Sequence, residues 1–164
     1  MSSVNFSVAG QHVLISGGGG GIGCAFAKAF LEHGASVTLC DLKPPPDDVL
    51  QMGATFEPLD VTSEAAVNAL AQKIKKLDVL IHCAGKLIRW EERKPEVFEN
   101  IVDIHLFGNV RLAAAFRGHL KQTKGCMINI ASMYSYFGAP QIPAYAAAKT
   151  AVVGLTRSLA LAYA

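Results

Sequence analysis

The chain has 164 residues, 51% of them hydrophobic and 17% charged, with a formal net charge of +2. This is enough apolar material for one cored domain, and too little charge of one sign to argue for nucleic acid or an anionic membrane surface as partner. Four cysteines (Cys24, Cys40, Cys83 and Cys126) sit among apolar neighbours with no Cys-x-x-Cys or Cys/His spacing. Buried reduced thiols, no metal site and a reducing, cytoplasmic compartment are therefore expected.

In chain order, residues 1–6 lack a basic region followed by a long apolar stretch, so no secretory signal is expected. The apolar run 12–15 reads as a first strand, and Ser16-Gly17-Gly18-Gly19-Gly20-Gly21-Ile22-Gly23 follows it directly. A strand turning sharply into a helix needs residues without Cβ. Gly17 can make that turn, Gly21 lets backbone N–H groups approach an anion, and Gly23 lets the helix pack close. The following helix, expected over 21–33, would offer free N–H donors and a partial positive charge to a pyrophosphate. A second strand over 36–40 ends at Asp41, 18 residues past Gly23. That is near the spacing of a ribose-binding acid. A carboxylate there accepts from both ribose hydroxyls and repels a 2′-phosphate, favouring NAD; Lys43 nearby keeps NADP open.

The connection over 42–53 contains Pro44, Pro45 and Pro46, so it is expected to be a loop with at most one short helical turn. Strands at 54–57, 77–82 and 126–131 then alternate with helices at 63–75, 95–120 and 144–163. The alternation predicts an α/β fold: a doubly wound, three-layer α/β/α structure on a parallel sheet in order 3-2-1-4-5. The most apolar stretch, 144–164, contains Lys149 and Arg157 and reads as a buried helix, not a membrane span.

One further pattern carries chemistry. Tyr145 and Lys149 are four residues apart and share a helix face. A free phenol, with a pKa near ~10, is a poor base at neutral pH; an adjacent ammonium favours the phenolate. A core-facing tyrosine beside a lysine lying along an amphipathic helix is the bland alternative, which the glycine loop argues against.

Together these residues resemble the short-chain dehydrogenase/reductase family over essentially the whole chain. Ser16-Gly17-x-x-x-Gly21-Ile22-Gly23 is similar to the family's Thr-Gly-x-x-x-Gly-Ile-Gly. Asp60-Val61 resembles the pair that meets the adenine. His82-Cys83-Ala84-Gly85 resembles Asn-Asn-Ala-Gly with both asparagines changed. Asn129-Ile130-Ala131-Ser132 resembles the segment ending in the active serine, and Tyr145-x-x-x-Lys149 is the signature pair, 13 residues past Ser132.

The resemblance implies a Rossmann-type domain over 1–164 that binds NAD, or less readily NADP, through Gly17, Gly21, Ile22, Gly23, Asp41, Asp60, Val61, Ala84, Gly85, Tyr145 and Lys149. It also implies hydride transfer between the nicotinamide and a secondary alcohol or ketone. Tyr145 would be the acid/base, Ser132 would hold the substrate oxygen, and Lys149 would bind the nicotinamide ribose. The family's relay asparagine aligns with His105 by the following Leu-x-Gly; His105 either relays a proton or is a satisfied core histidine.

Family members continue for about 80 residues or more past this point, since typical domains of this type exceed ~200 residues. The expectation is therefore a fragment or a truncated protein without the last strands. A non-catalytic dinucleotide-binding or interaction module is the alternative function. The loop 86–94 would lie near the substrate cleft, with Trp90 as a surface cap and its run of charges as a solvated face. Met133, Tyr134, Tyr136 and Phe137 would give that cleft an apolar and aromatic lining. A homodimer or homotetramer through helices 95–120 and 144–163 is expected, because their apolar arcs exceed what one sheet face needs.

Overall fold

The computed structural model describes residues 7–164. Five strands, β1 (His12–Ser16), β2 (Ser36–Asp41), β3 (Thr55–Pro58), β4 (Val79–His82) and β5 (Cys126–Asn129), form one sheet in order β3-β2-β1-β4-β5. Every pairing is parallel, and β1 lies between β2 and β4. The chain therefore leaves β1 toward one side of the sheet and returns after β3 to the other. This places the carboxyl ends of β1, β2 and β4 around a crevice at the point of reversal.

Side chains alternate across the strands, so β1, β2 and β4 each feed two cores. Val13, Ile15, Val37, Leu39, Val79 and Ile81 pack on one face with Ala27 of helix α1 (Gly21–Glu32) and Val49 of helix α2 (Asp47–Gln51). Leu14 and Leu80 pack on the other face with Val67 and Leu70 of helix α3 (Glu64–Lys73). Leu112, Phe116 and Leu120 from the long helix before β5 complete that core. Near-continuous apolar strands are what a parallel sheet covered on both faces requires.

Helix α2 is the short turn that the prolines allow: Pro46 precedes it, and five residues follow before Met52 ends it. Ser63 starts α3, its hydroxyl accepting the Ala66 N–H at 3.2 Å.

The stretch expected to be one helix over 95–120 is not continuous. It is helix α4 (Pro95–Val102), a π-helical turn (Asp103–Phe107) and helix α5 (Gly108–Thr123). A π turn carries one residue more than an α turn and bends the helix. His105 is its middle residue. Hydrophobic periodicity tracks the face of a helix over several turns and does not register one extra residue, so the break escapes a pattern-based reading. The last helix, α6 (Pro143–Ala162), packs against α4 and the π turn. No helix among the described residues is long and apolar enough to cross a membrane.

Candidate active site

The crevice at the end of β1 is a cleft of about 200 Å³. Gly17, Gly20, Asp41, Asp60, Val61, Ala84 and Gly85 all line it. Residues from four strand–helix connections thus meet in one place, while the expected Gly21, Ile22 and Gly23 are not part of its lining.

The glycine loop explains how. Gly17 has φ +73°, and a Cβ on it would meet the Cys83–Ala84 backbone at 2.5–2.7 Å. A Cβ on Gly23 would strike the Gly17 carbonyl. Gly17 and Gly23 therefore allow the turn to close and α1 to seat. Gly21 is different, since a Cβ there would meet nothing. It faces open space at the first turn of α1, where Gly20 caps the helix without a side-chain acceptor. Main-chain N–H groups at a helix start are a ready anion site. Ile22 stands beside them, 62% exposed.

Asp41 closes the far side. One carboxylate oxygen accepts the Gly19 N–H at 3.0 Å and the other the Leu42 N–H at 2.7 Å. Each oxygen keeps a lone pair toward the cleft. Asp60 uses one oxygen on the Thr62 N–H and hydroxyl, at 2.9 and 2.7 Å, which folds the turn after β3.

Tyr145, Lys149 and His105 gather beyond the Gly85–Lys86 end of the cleft. Tyr145 lies in the first turn of α6 and Lys149 in the second. The Lys149 ammonium sits 5.6 Å from the centre of the Tyr145 ring. It is buried and donates to the Ile130 carbonyl at 2.6 Å. Burial pulls its pKa down to about 8, so it stays mostly charged at neutral pH with little to spare.

The His105 ring stands edge-on to Tyr145, with centroids 5.1 Å apart. His105 is buried, and burial pushes its pKa down to about 4 despite the opposing Lys86 backbone bond. Nε2 lies 2.9 Å from the Lys86 carbonyl and 3.2 Å from the Lys86 N–H. A neutral ring uses one of these, according to its tautomer. Gly85 makes this possible, because a Cβ there would run into the imidazole.

Ser132 sits at the end of the β5 segment. Its hydroxyl accepts the Tyr134 N–H at 3.2 Å and so caps the short 3₁₀ turn Met133–Ser135. The hydroxyl proton is left to donate elsewhere. The apolar side chains expected along the cleft, Met133, Tyr136 and Phe137, are exposed, and Tyr134 lies edge-on to Tyr145 at 6.4 Å.

Three residues of this centre were not read as site residues from sequence. Ser135 donates to the Lys149 carbonyl at 2.8 Å and accepts the Ser132 N–H at 3.2 Å, tying serine and lysine segments together. His82 is buried at the end of β4, with Nδ1 2.7 Å from the Ser16 hydroxyl. Burial, then the charges of Lys149 and His105, lower its pKa to about 3. Its signal in the sequence is the substitution of an asparagine in the Asn-Asn-Ala-Gly pattern. Glu92, fully buried in a 3₁₀ turn, reaches the Tyr145 amide. It looked like one more charge in a solvated run.

A family model described as short chain dehydrogenase matches residues 11–164. The chain is 33% identical to the L-fucose dehydrogenase of Bos taurus, covering 93% of this chain and 60% of that protein. It is 31% identical to the 3-hydroxyacyl-CoA dehydrogenase type-2 of Homo sapiens, covering 98% of this chain and 70% of the relative. Among solved structures, the ligand-free aldohexose dehydrogenase of Thermoplasma acidophilum superposes with a TM-score of 0.89 at 26% identity, over 98% of this chain and 64% of that one. The chain thus spans about 60% of the length of the L-fucose dehydrogenases it matches. By motif, topology and similarity, it belongs to the short-chain dehydrogenase family.

Proposed function

We propose that this chain binds NAD and supports hydride transfer between the nicotinamide and a secondary alcohol or ketone, with Tyr145 moving the proton. The observation that carries the reading is the meeting of Tyr145, Lys149 and His105 beyond one end of a cleft whose walls carry Gly17, Asp41, Asp60, Val61, Ala84 and Gly85. The residues fit a dinucleotide. Gly21 leaves space against open helix N–H groups for a pyrophosphate, and Asp41 keeps acceptor capacity for ribose hydroxyls. When bound, the nicotinamide supplies the hydride acceptor or donor.

Tyr145 gives a proton to the nascent alkoxide in reduction, or takes one from the alcohol in oxidation, at its phenol oxygen. Lys149 stabilises the phenolate form electrostatically, and it can also hold the nicotinamide ribose. Ser132 fixes the substrate oxygen through its free hydroxyl proton. His105 is uncharged across the physiological range, so it acts as a neutral relay or packing group and not as a cation. Asp41 disfavours a 2′-phosphate and so favours NAD over NADP.

The exposed Met133, Tyr136 and Phe137 favour an apolar or cyclic small-molecule substrate. Exposed Phe107 and Val110, on the π turn and α5, favour a homodimer or homotetramer built on the helices before and after β5. Four free cysteines suit a cytoplasmic setting, and the described residues read as one dinucleotide-binding domain.

The test is Tyr145→Phe, with alcohol oxidation followed by nicotinamide absorbance and NAD affinity by calorimetry. Removing only the hydroxyl should reduce turnover by about 10²–10⁴-fold while leaving affinity within about twofold. Retained turnover would place the proton donor elsewhere, with His105 the first residue to examine.

A further inference from the structure

Helix α6 begins at Pro143, and the residue before it, Ile142, has no side chain that can cap the helix. The first-turn N–H groups of a helix have no partner inside it. One of these donors belongs to Tyr145, and its partner comes from 53 residues away. The Tyr145 N–H donates to Glu92 at 2.8 Å, and the other carboxylate oxygen of Glu92 accepts the Ile88 N–H at 3.0 Å. Glu92 is 0% exposed. Burying a carboxylate is costly unless its oxygens are hydrogen-bonded, and here both are, by two different segments. A carboxylate at a helix N-terminus also complements the helix dipole.

A second clasp lies beside the first. The Trp90 N–H donates to the Gln141 carbonyl at 2.8 Å, just before α6. Trp90 makes that contact from a left-handed backbone, φ +72°. This conformation is costly for a bulky residue and persists only where its surroundings impose it. The segment after β4 is thus fastened to the head of α6 at two points, one of them the amide of Tyr145 itself.

We propose that Glu92 is a positioning residue for Tyr145: its buried carboxylate clasps the Tyr145 and Ile88 N–H groups together, and so sets the height of the phenol against the loop that follows β4. The inference rests on the acid/base reading of Tyr145. Lys149, four residues on, keeps its ammonium beside the phenol only while the first turn of α6 is held. Glu92 is fully buried and does not line the cleft, so it acts through the backbone of Tyr145.

Glu92→Gln tests it. The shape is kept, but an amide has one acceptor oxygen, so one N–H loses its partner and faces another donor. Three quantities are measured in wild type and variant: amide exchange at Tyr145 by NMR, kcat with its solvent isotope effect, and NAD affinity by calorimetry. Glu92→Gln should speed exchange at Tyr145 at least tenfold and lower kcat at least tenfold. The solvent isotope effect should rise as proton transfer becomes limiting, with NAD affinity unchanged within twofold.

Unchanged kcat with a deprotected Tyr145 amide overturns the inference and leaves Glu92 a structural group. A Tyr145 amide that stays protected overturns it as well. Full turnover in Tyr145→Phe, or none in wild type, would instead refute the acid/base reading. In that case the Tyr145 exchange rate alone decides whether Glu92 holds the head of α6. If Glu92→Gln does not fold, Ile88→Pro removes the loop-side donor while leaving Glu92 and α6 unaltered in sequence, and the same readings at Tyr145 decide: faster exchange with slower catalysis supports the clasp, and unchanged catalysis or exchange overturns it.

Discussion

Lys149 is buried beside Tyr145 at a cost to the fold, and that cost can be measured. Its pKa falls from the ordinary 10.5 to about 8, chiefly through burial, with the Cys83 thiol acting weakly the other way. Each unit is worth about 1.4 kcal/mol, so at neutral pH the buried ammonium destabilises the folded state by about 3 kcal/mol. The sign follows from proton counts. Between the two pKa values the unfolded chain holds a proton that the folded chain has lost, so stability rises with pH there. The penalty is complete below about pH 8, shrinks as pH rises, and is gone above about 10.5.

Lys149→Met keeps the side-chain volume and removes the charge. It also strands the Ile130 carbonyl, which accepts the ammonium at 2.6 Å, at a cost of about 1–3 kcal/mol. The expected net gain at pH 7 is about 0–2 kcal/mol, or at most roughly 4–8 °C in melting temperature for a chain of this size, alongside loss of turnover. Urea unfolding of both proteins without cofactor, at pH 7 and pH 9.5, checks it, and subtracting one from the other cancels every other titrating group. The difference should favour the variant at pH 7 and shrink by about 2 kcal/mol at pH 9.5. A variant less stable at pH 7, or a difference insensitive to pH, would refute the claim that burial sets this pKa.

Gly85→Ala drives a methyl group into the His105 ring and should cost about 1–3 kcal/mol in urea unfolding. Adding His105→Ala should recover most of it, and additive losses would disprove the contact. Burial lowers the folded pKa of His105 to about 4 from 6.5, so stability is lost as pH falls between those values. His105→Gln should remove about 1.4 kcal/mol per pH unit from that acid slope in pH-dependent unfolding and change nothing above pH 7. Asp41→Asn removes the charge that would repel a 2′-phosphate, and should narrow the ratio of NADP to NAD dissociation constants about tenfold or more; an unchanged ratio would release Asp41 from cofactor choice.

The strand order, both layers of helices and the crevice were legible in the sequence because each is a local signal repeated. Apolar runs of strand length alternate with helical periodicity, and a glycine cluster stands at the first junction. Tyr145 and Lys149 were legible because four residues on a helix fix a shared face wherever that helix goes. Three prolines likewise foretold how little helix could follow β2.

Tertiary structure decided the rest. Glu92 lies in a charged run that reads as solvated, and only folding brings that run under the head of α6 and buries one carboxylate between two amides. The π turn at His105 adds one residue to a helix whose apolar pattern hardly changes, so its place is set by packing against Gly85 and Tyr145. Ser135 gains its role from meeting the Lys149 carbonyl across a chain reversal. The pKa values of Lys149, His105 and His82 are likewise products of burial. Composition and spacing state which groups a chain carries; desolvation, which needs every neighbour in place, determines what charge they hold.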